Sequence, residues 1–295
     1  MRFRLTRAAL CLLLLILPAL LSAWDLDLSL ALPGGVISLH SDLPEELQQG
    51  AVLSDGGRVF SSGEAVALGA DGPWVLLLPL PCDYPRPVAD LTVLGSGGTE
   101  ETRRVELLSR EFVYEEIPLN GEMSGLRQSD DPRKIEESRR MWQLLASFDV
   151  SSPLQRTPLI LPAGSARQSS HYGDRRLFSY RDGSSSRSLH YGVDYAVPVG
   201  TAVRAAAAGK VVMAADRMLT GYTIVIEHGP GVFTLYYHLD SLGVKEGQQV
   251  EQGQVIAASG MSVLATGPHL HWELRINRIP VDPLLFVERS FVRLP

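Results

Sequence analysis

The stretch Gly267-Pro268-His269-Leu270-His271-Trp272-Glu273-Leu274 decides how this chain is to be understood. Leu270, Trp272 and Leu274 alternate with His269, His271 and Glu273. A side-chain period of two predicts a β-strand that gives an apolar face to a core and two imidazoles plus a carboxylate to the other side. His-x-His pairs also occur on ordinary surfaces. In a chain with only seven histidines and a formal charge of −6, one carried by a core-grade strand points toward metal binding or catalysis.

Two more segments hold histidines whose geometry can be argued. In His190-Tyr-Gly-Val-Asp194 an extended backbone puts His190, Gly192 and Asp194 on one face, with the missing Gly192 side chain leaving room between two candidate ligands. A strand-edge histidine beside a surface aspartate is the plainer reading, and this motif alone does not separate the two. Thr234-Leu-Tyr236-Tyr-His238-Leu reads as the return strand of a hairpin turning at Gly229-Pro230-Gly231, with Thr234, Tyr236 and His238 sharing a face. A single strand histidine is usually structural, so His238 gains meaning only from its company. His40 and His228 read as incidental, and His171 stays open.

Around these segments lie 295 residues, 45% hydrophobic and 20% charged, which suits one large domain or two ordinary ones and excludes a disordered, collagen-like or multi-span membrane chain. The charge is unevenly spread. Residues 1–23 carry three arginines and no acid, residues 24–150 carry 10 basic and 22 acidic side chains, and residues 151–295 carry 14 and 11. No nucleic-acid partner is expected. Arg2, Arg4 and Arg7, the apolar run Ala8 to Leu17, Pro18 and the small pair Ser22-Ala23 have the order of a secretory signal peptide cleaved after Ala23. The run is shorter than the roughly 20 residues of a membrane span. Leu21 is a mediocre residue at −3, so an uncleaved membrane anchor is the alternative. Cleavage removes Cys11 and leaves Cys82 as the only thiol, which rules out an intramolecular disulfide at an oxidising destination.

Residues 24–118 alternate short apolar runs with turn clusters such as Pro33-Gly34-Gly35 and Asp55-Gly56-Gly57, predicting a small β-sandwich-like accessory domain, immunoglobulin-like in spacing. It holds no cluster of His or Cys. Spacing, docking of a regulatory protein partner, or restraint of the C-terminal half are its expected roles. Residues 119–165 read as helix and linker. Asp130-Asp131-Pro132 starts a helix over 132–148 with Ile135, Trp142, Leu145 and Phe148 near helical spacing, and residues 151–164 form a linker.

Together the motifs resemble the M23 family of zinc metallopeptidases, the lysostaphin and LytM type that cut peptidoglycan peptides. The resemblance runs from about Ser169 to Phe286. It includes Ser170-His-Tyr-Gly173-Asp-Arg175, His190-Tyr-Gly-Val-Asp194-Tyr-Ala-Val-Pro198, Tyr236-Tyr-His238-Leu239, Val244-Lys-Glu-Gly247-Gln-Gln-Val250-Glu-Gln-Gly253 and Thr266-Gly-Pro-His269-Leu-His271-Trp-Glu273. It implies a mainly β chain whose residues 166–290 form an antiparallel β M23 peptidase domain, LytM-like and related to the barrel-sandwich hybrids, with a groove above the metal.

Carried over by position, the resemblance makes His190, Asp194 and His271 the ligands of one Zn2+ per chain, with a fourth position open to water. His238 and His269 match the family's two non-ligand histidines, one to take the water's proton and one to stabilise the developing oxyanion or serve the leaving amine. Glu273 is placed to orient a ligand imidazole, unless it is merely a rim carboxylate. The implied substrate is the peptide cross-links of peptidoglycan, and the implied location is the periplasm or cell envelope.

Members commonly have small polar residues where this chain has Gly260-Met-Ser-Val-Leu-Ala-Thr266, which alters one groove wall. Leu177 to Leu189 reads as a long polar loop forming another wall. His171 reads as a groove-edge residue, the alternative being an extra, inhibitory ligand. Two other classes compete. The run Val244 to Ile256 also resembles lipoyl and biotinyl carrier domains, but no lysine sits at a suitable hairpin tip. A non-catalytic peptidoglycan-binding or amidase-activating module of the same family usually lacks ligands that this chain keeps.

Overall fold

The structure, a computed structural model, describes residues 24–43, 47, 49–69, 72–262 and 267–290. The signal-peptide reading of residues 1–23 falls outside them, as do residues 263–266 of the altered groove wall.

The N-terminal half begins with strands β1 (Asp25–Leu30), β2 (Val36–Ser41), β3 (Ala51–Asp55), β4 (Arg58–Gly63), β5 (Ala65–Ala67), β6 (Trp74–Pro79), β7 (Val88–Leu94) and β8 (Glu100–Glu106). They form two four-stranded sheets, ordered β1-β2-β6-β5 and β4-β3-β7-β8. In β7 the alternation is plain: Ala89, Leu91 and Val93 are buried and their neighbours are not. Ile37, Leu39, Leu53, Leu76 and Leu78 fill the same core. The outer face of β2, β5 and β6 is apolar too. Val36, Val66, Val75 and Leu77 belong to the core of the C-terminal half, so burial of this second face fastens the sandwich to that half.

Next come β9 (Tyr114–Pro118), α1 (Gly121–Gln128) and α2 (Pro132–Leu145). Asn120 caps α1 by accepting from Met123 N at 2.8 Å, and Asp131 caps α2 by accepting from Arg133 N at 2.7 Å with Pro132 in the first turn. Sequence spacing predicts one helix ending at 148. Residues 119–148 hold two, and α1 escapes the sequence pattern because Gly121 and Gly125 give it poor helix propensity. The buried face of α2 also differs from expectation. Met141 and Leu145 pack on Met213, Val225, Phe233 and Leu235, while Ile135 and Trp142 stay 61% and 60% exposed. Among the described residues no helix is long and apolar enough to cross a membrane.

The C-terminal half contains β10 (Gln168–Ser170), β11 (Arg175–Ser179), β12 (Ser185–Leu189), β13 (Val193–Ala196), β14 (Ala202–Arg204), β15 (Gly209–Arg217), β16 (Gly221–Gly229), β17 (Val232–Leu242), β18 (Gln249–Val250), β19 (Val255–Ser259), β20 (His269–Ile276) and β21 (Ile279–Val281). The main antiparallel sheet runs β10-β13-β20-β17-β16-β15-β18. At its margins β19 pairs with β14 and β17, and β21 with β20. Leu270, Trp272, Leu274 and Ile276 of β20 are wholly buried against Tyr236, Ile224 and Ile226.

The stretch expected as a polar loop, Leu177 to Leu189, is a hairpin of β11 and β12 instead. Its strands carry polar residues on both faces, so no alternation betrays them. β9, which lies inside the stretch read as sandwich, pairs in parallel with β11 on the hairpin's other edge.

Candidate metal centre

β13 and β20 run antiparallel with Asp194 opposite His271 and Ala196 opposite His269. Directly opposed residues share a face, so register alone brings Asp194 to His271. His190 does not belong to that strand. It follows β12, and β13 begins only at Val193, which corrects the expectation of one extended segment over 190–194. Gly192 also has another reason than the one expected. A Cβ there would stand 2.3 Å from the Trp272 carbonyl oxygen and 2.9 Å from His271 Cε1, so glycine is needed for the close pass over β20.

The three side chains converge and are buried. His190 Nε2 lies 3.1 Å from Asp194 Oδ1, His271 Nδ1 lies 2.7 Å from the same oxygen, and the two nitrogens are 3.0 Å apart. The opposite nitrogen of each ring is held. His190 Nδ1 donates to the His171 carbonyl at 2.7 Å, and His271 Nε2 donates to Glu273 Oε1 at 3.0 Å. Those acceptors fix the tautomers and leave His190 Nε2 and His271 Nδ1 with lone pairs aimed at one point beside a carboxylate oxygen. Two imidazole nitrogens and one carboxylate oxygen form a donor set suited to zinc, so the residues fit a catalytic metal.

Electrostatics agree with a site made for a cation. Asp194 is held well below the usual carboxylate range: burial opposes this, but hydrogen bonds from His190 and His271 outweigh it. Burial lowers His190. Burial would lower His271 as well, yet its bonds to Asp194 and Glu273 lift it to about 9, so without a metal a proton occupies the position. Glu273 is kept at about 2 against its burial by the neighbouring Arg275 and by His271, and Arg275 Nε donates to its Oε2 at 2.7 Å.

His269 lies next to this cluster. Its Nδ1 donates to the Gly267 carbonyl at 2.8 Å, which leaves Nε2 facing the site 3.9 Å from Asp194 Oδ1. His238 arrives by a route the sequence does not reveal. Tyr236 opposes Trp272 in the core and Tyr237 opposes His271, so strict alternation would bury His238 with Tyr236. At His238, however, φ is 60°, and β17 passes from β20 to its new partner Ser259 on β19. This left-handed residue breaks the period and brings the ring to 4.6 Å from that of His269. Its Nδ1 is 2.7 Å from Ser262 Oγ, and burial, with His269 and His271 nearby, pushes its pKa well down.

The remaining histidines are placed elsewhere. His228 is fully buried, meets Thr234 Oγ1 at 2.7 Å and the Ala208 carbonyl at 2.8 Å, and is drawn down to about 4 by burial. His40 lies in the sandwich beside Ser38. The His171 imidazole is 63% exposed, and the atom of this residue that touches the site is its carbonyl oxygen. Tyr237, Ser262 and Arg176 touch His271, His238 and Asp194 in turn, and no local sequence signal singles them out. A groove of about 630 Å³ lined by Glu115, Glu116, Arg167, Gly267, Pro268 and His269 opens against Asp194.

Residues 188–283, a span holding His190, Asp194, His238, His269 and His271, match peptidase family M23. That segment is a peptidase M23 domain. Among relatives, the peptidoglycan DD-endopeptidase ShyA of Vibrio cholerae is 34% identical over 180 residues, 60% of this chain and 41% of that protein. The DD-carboxypeptidase/endopeptidase Mpg of Neisseria meningitidis is 46% identical over 96 residues, 32% of this chain and 22% of that protein. The chain thus spans less than half the length of either relative. A crystal structure from Pseudomonas aeruginosa assigned to peptidase M23 shares 26% identity at a TM-score of 0.61, over 88% of this chain and 95% of that one. The likeness therefore extends beyond the M23 sheet into the N-terminal half.

Proposed function

We propose that this chain is a zinc-dependent endopeptidase that hydrolyses peptide cross-links of peptidoglycan in the periplasm or cell envelope. The observation that carries the reading is the meeting of His190 Nε2, Asp194 Oδ1 and His271 Nδ1 with both ring tautomers fixed by His171 and Glu273. Zinc bound there supplies Lewis acidity and lowers the pKa of a bound water to about 7.

The chain's own groups do the rest. His238, neutral because its pKa is depressed, can accept a proton, and His269 presents an uncommitted Nε2 to the same space. One removes the proton of the attacking water and the other hydrogen-bonds the developing oxyanion or protonates the leaving amine. Ser262 and the Gly267 carbonyl hold these rings in place. The groove beside Asp194 receives the extended peptide. The relatives named DD-endopeptidases favour a bond between D-configured residues, such as D-Ala to diaminopimelate. Residues 1–23 direct export, residues 24–118 form a fixed accessory domain, residues 119–165 connect, and residues 166–290 form the peptidase.

Digestion of purified cell wall tests the reading. Cross-linked dimers should be converted to monomers with new amine termini, and a zinc chelator should stop the conversion. Dimers left intact by the zinc-loaded protein would return the chain to the non-catalytic binding module.

A further inference from the structure

Asp194 has two carboxylate oxygens, and only Oδ1 faces the two ligand imidazoles. Oδ2 accepts from Arg176 Nη2 at 3.0 Å. Two nitrogens of that guanidinium have further partners. Nη2 also donates to Ser170 Oγ at 2.7 Å, and Nε donates to Glu115 Oε2 at 3.1 Å. Ser170 is the register partner of Asp194 on β10, and its hydroxyl donates to the buried Asp174 carboxylate at 3.1 Å. Asp174 in turn accepts from His171 N at 2.8 Å, bracing the turn whose carbonyl holds His190. Glu115 stands on β9, opposite Arg176 in the parallel pair.

A guanidinium facing one carboxylate prefers the two-pronged pairing that engages both oxygens. Were Nε free, Arg176 could close on Asp194 in this way and compete for Oδ1. Held at Nε by Glu115 and at Nη2 by Ser170, the guanidinium is turned so that it reaches Asp194 through Nη2 alone, at Oδ2, and Oδ1 stays available. We infer that Glu115, which lies outside residues 188–283, is a positioning residue: acting through Arg176, it keeps Asp194 a one-oxygen ligand of the metal. The strand before the helices is thereby part of the metal site. This inference rests on the metal-site reading above.

The test is zinc affinity of the full chain, measured by competition with a chromophoric chelator, together with the visible spectrum of the cobalt-substituted protein. Glu115→Ala should weaken zinc binding about 10- to 100-fold and change the cobalt spectrum, because Asp194 coordination changes. Glu115→Gln, which keeps an oxygen acceptor for Arg176 Nε, should recover most of the affinity. Glu115→Ala combined with Arg176→Met should bind no more weakly than Arg176→Met alone, since Glu115 has nothing left to act through. Wild-type affinity and an unchanged cobalt spectrum in Glu115→Ala, or losses that add in the double variant, would overturn the inference while leaving the metal site standing. A wild-type chain that binds no zinc would overturn both.

Discussion

Tyr237 lies flat over the His271 imidazole, the ring centroids 5.2 Å apart and the planes 7° from parallel. The two residues oppose each other across β17 and β20, and α2 packs on the same face through Met141 and Leu145. The stack removes tilt from a ring already held at both nitrogens. Tyr237→Leu keeps an apolar cover but gives up the plane. Zinc affinity should fall about 10-fold, the lower end for groups that orient a ligand, by chelator competition. Unchanged affinity would reduce Tyr237 to a cover.

His238 offers a clean separation of chemistry from folding. At a φ of 60° asparagine is better tolerated than most residues, so His238→Asn should keep the backbone and lose the imidazole. The variant should retain its metal while kcat on cross-linked peptide falls on the order of 10²- to 10⁴-fold. A kcat within about twofold of wild type would remove His238 from proton transfer.

Acid should destabilise the fold partly through His228. Its pKa is 6.5 in an ordinary setting and about 4 when buried here, so the unfolded chain binds the extra proton. The stability gained by keeping it neutral is present above pH 6.5 and lost as pH falls toward 4, to a total of about 3 kcal/mol. Calorimetric melting temperatures of His228→Gln should be lower at neutral pH yet decline less steeply between pH 6.5 and 4. Parallel pH profiles would contradict this.

Metal binding should expel a proton. In the metal-free chain His271, lifted to about 9, is protonated at pH 7, whereas His190 is lowered and Asp194 is ionised. Zinc should therefore release about one proton per site at pH 7, and its affinity should climb with pH and level off above about 9. Titration calorimetry in buffers of different ionisation enthalpy counts the proton, and heats independent of buffer would contradict the assignment.

β20 is legible from its amino acids because one face is apolar and the other polar: Leu270, Trp272, Leu274 and Ile276 fill the core, and His271 and Glu273 face the site. The sandwich strand β7 is legible for the same reason. Legibility fails where that contrast fails. Ser185 to Ser188 are polar on both faces, so the β11–β12 hairpin looks like a loop. The His238 side chain reaches the site only because one left-handed residue breaks the alternation that otherwise predicts it well. Glu115 and Arg176 are 61 residues apart, and nothing local in either segment announces their contact. In α2 the apolar side chains are too sparse to say that Met141, rather than Trp142, turns inward.

Metal analysis of the purified chain and of His190→Ala tests the central claim most directly. Wild type should carry about one zinc per chain and His190→Ala little or none, since a catalytic zinc rests on three protein ligands. Full zinc occupancy in His190→Ala, or none in wild type, would contradict it.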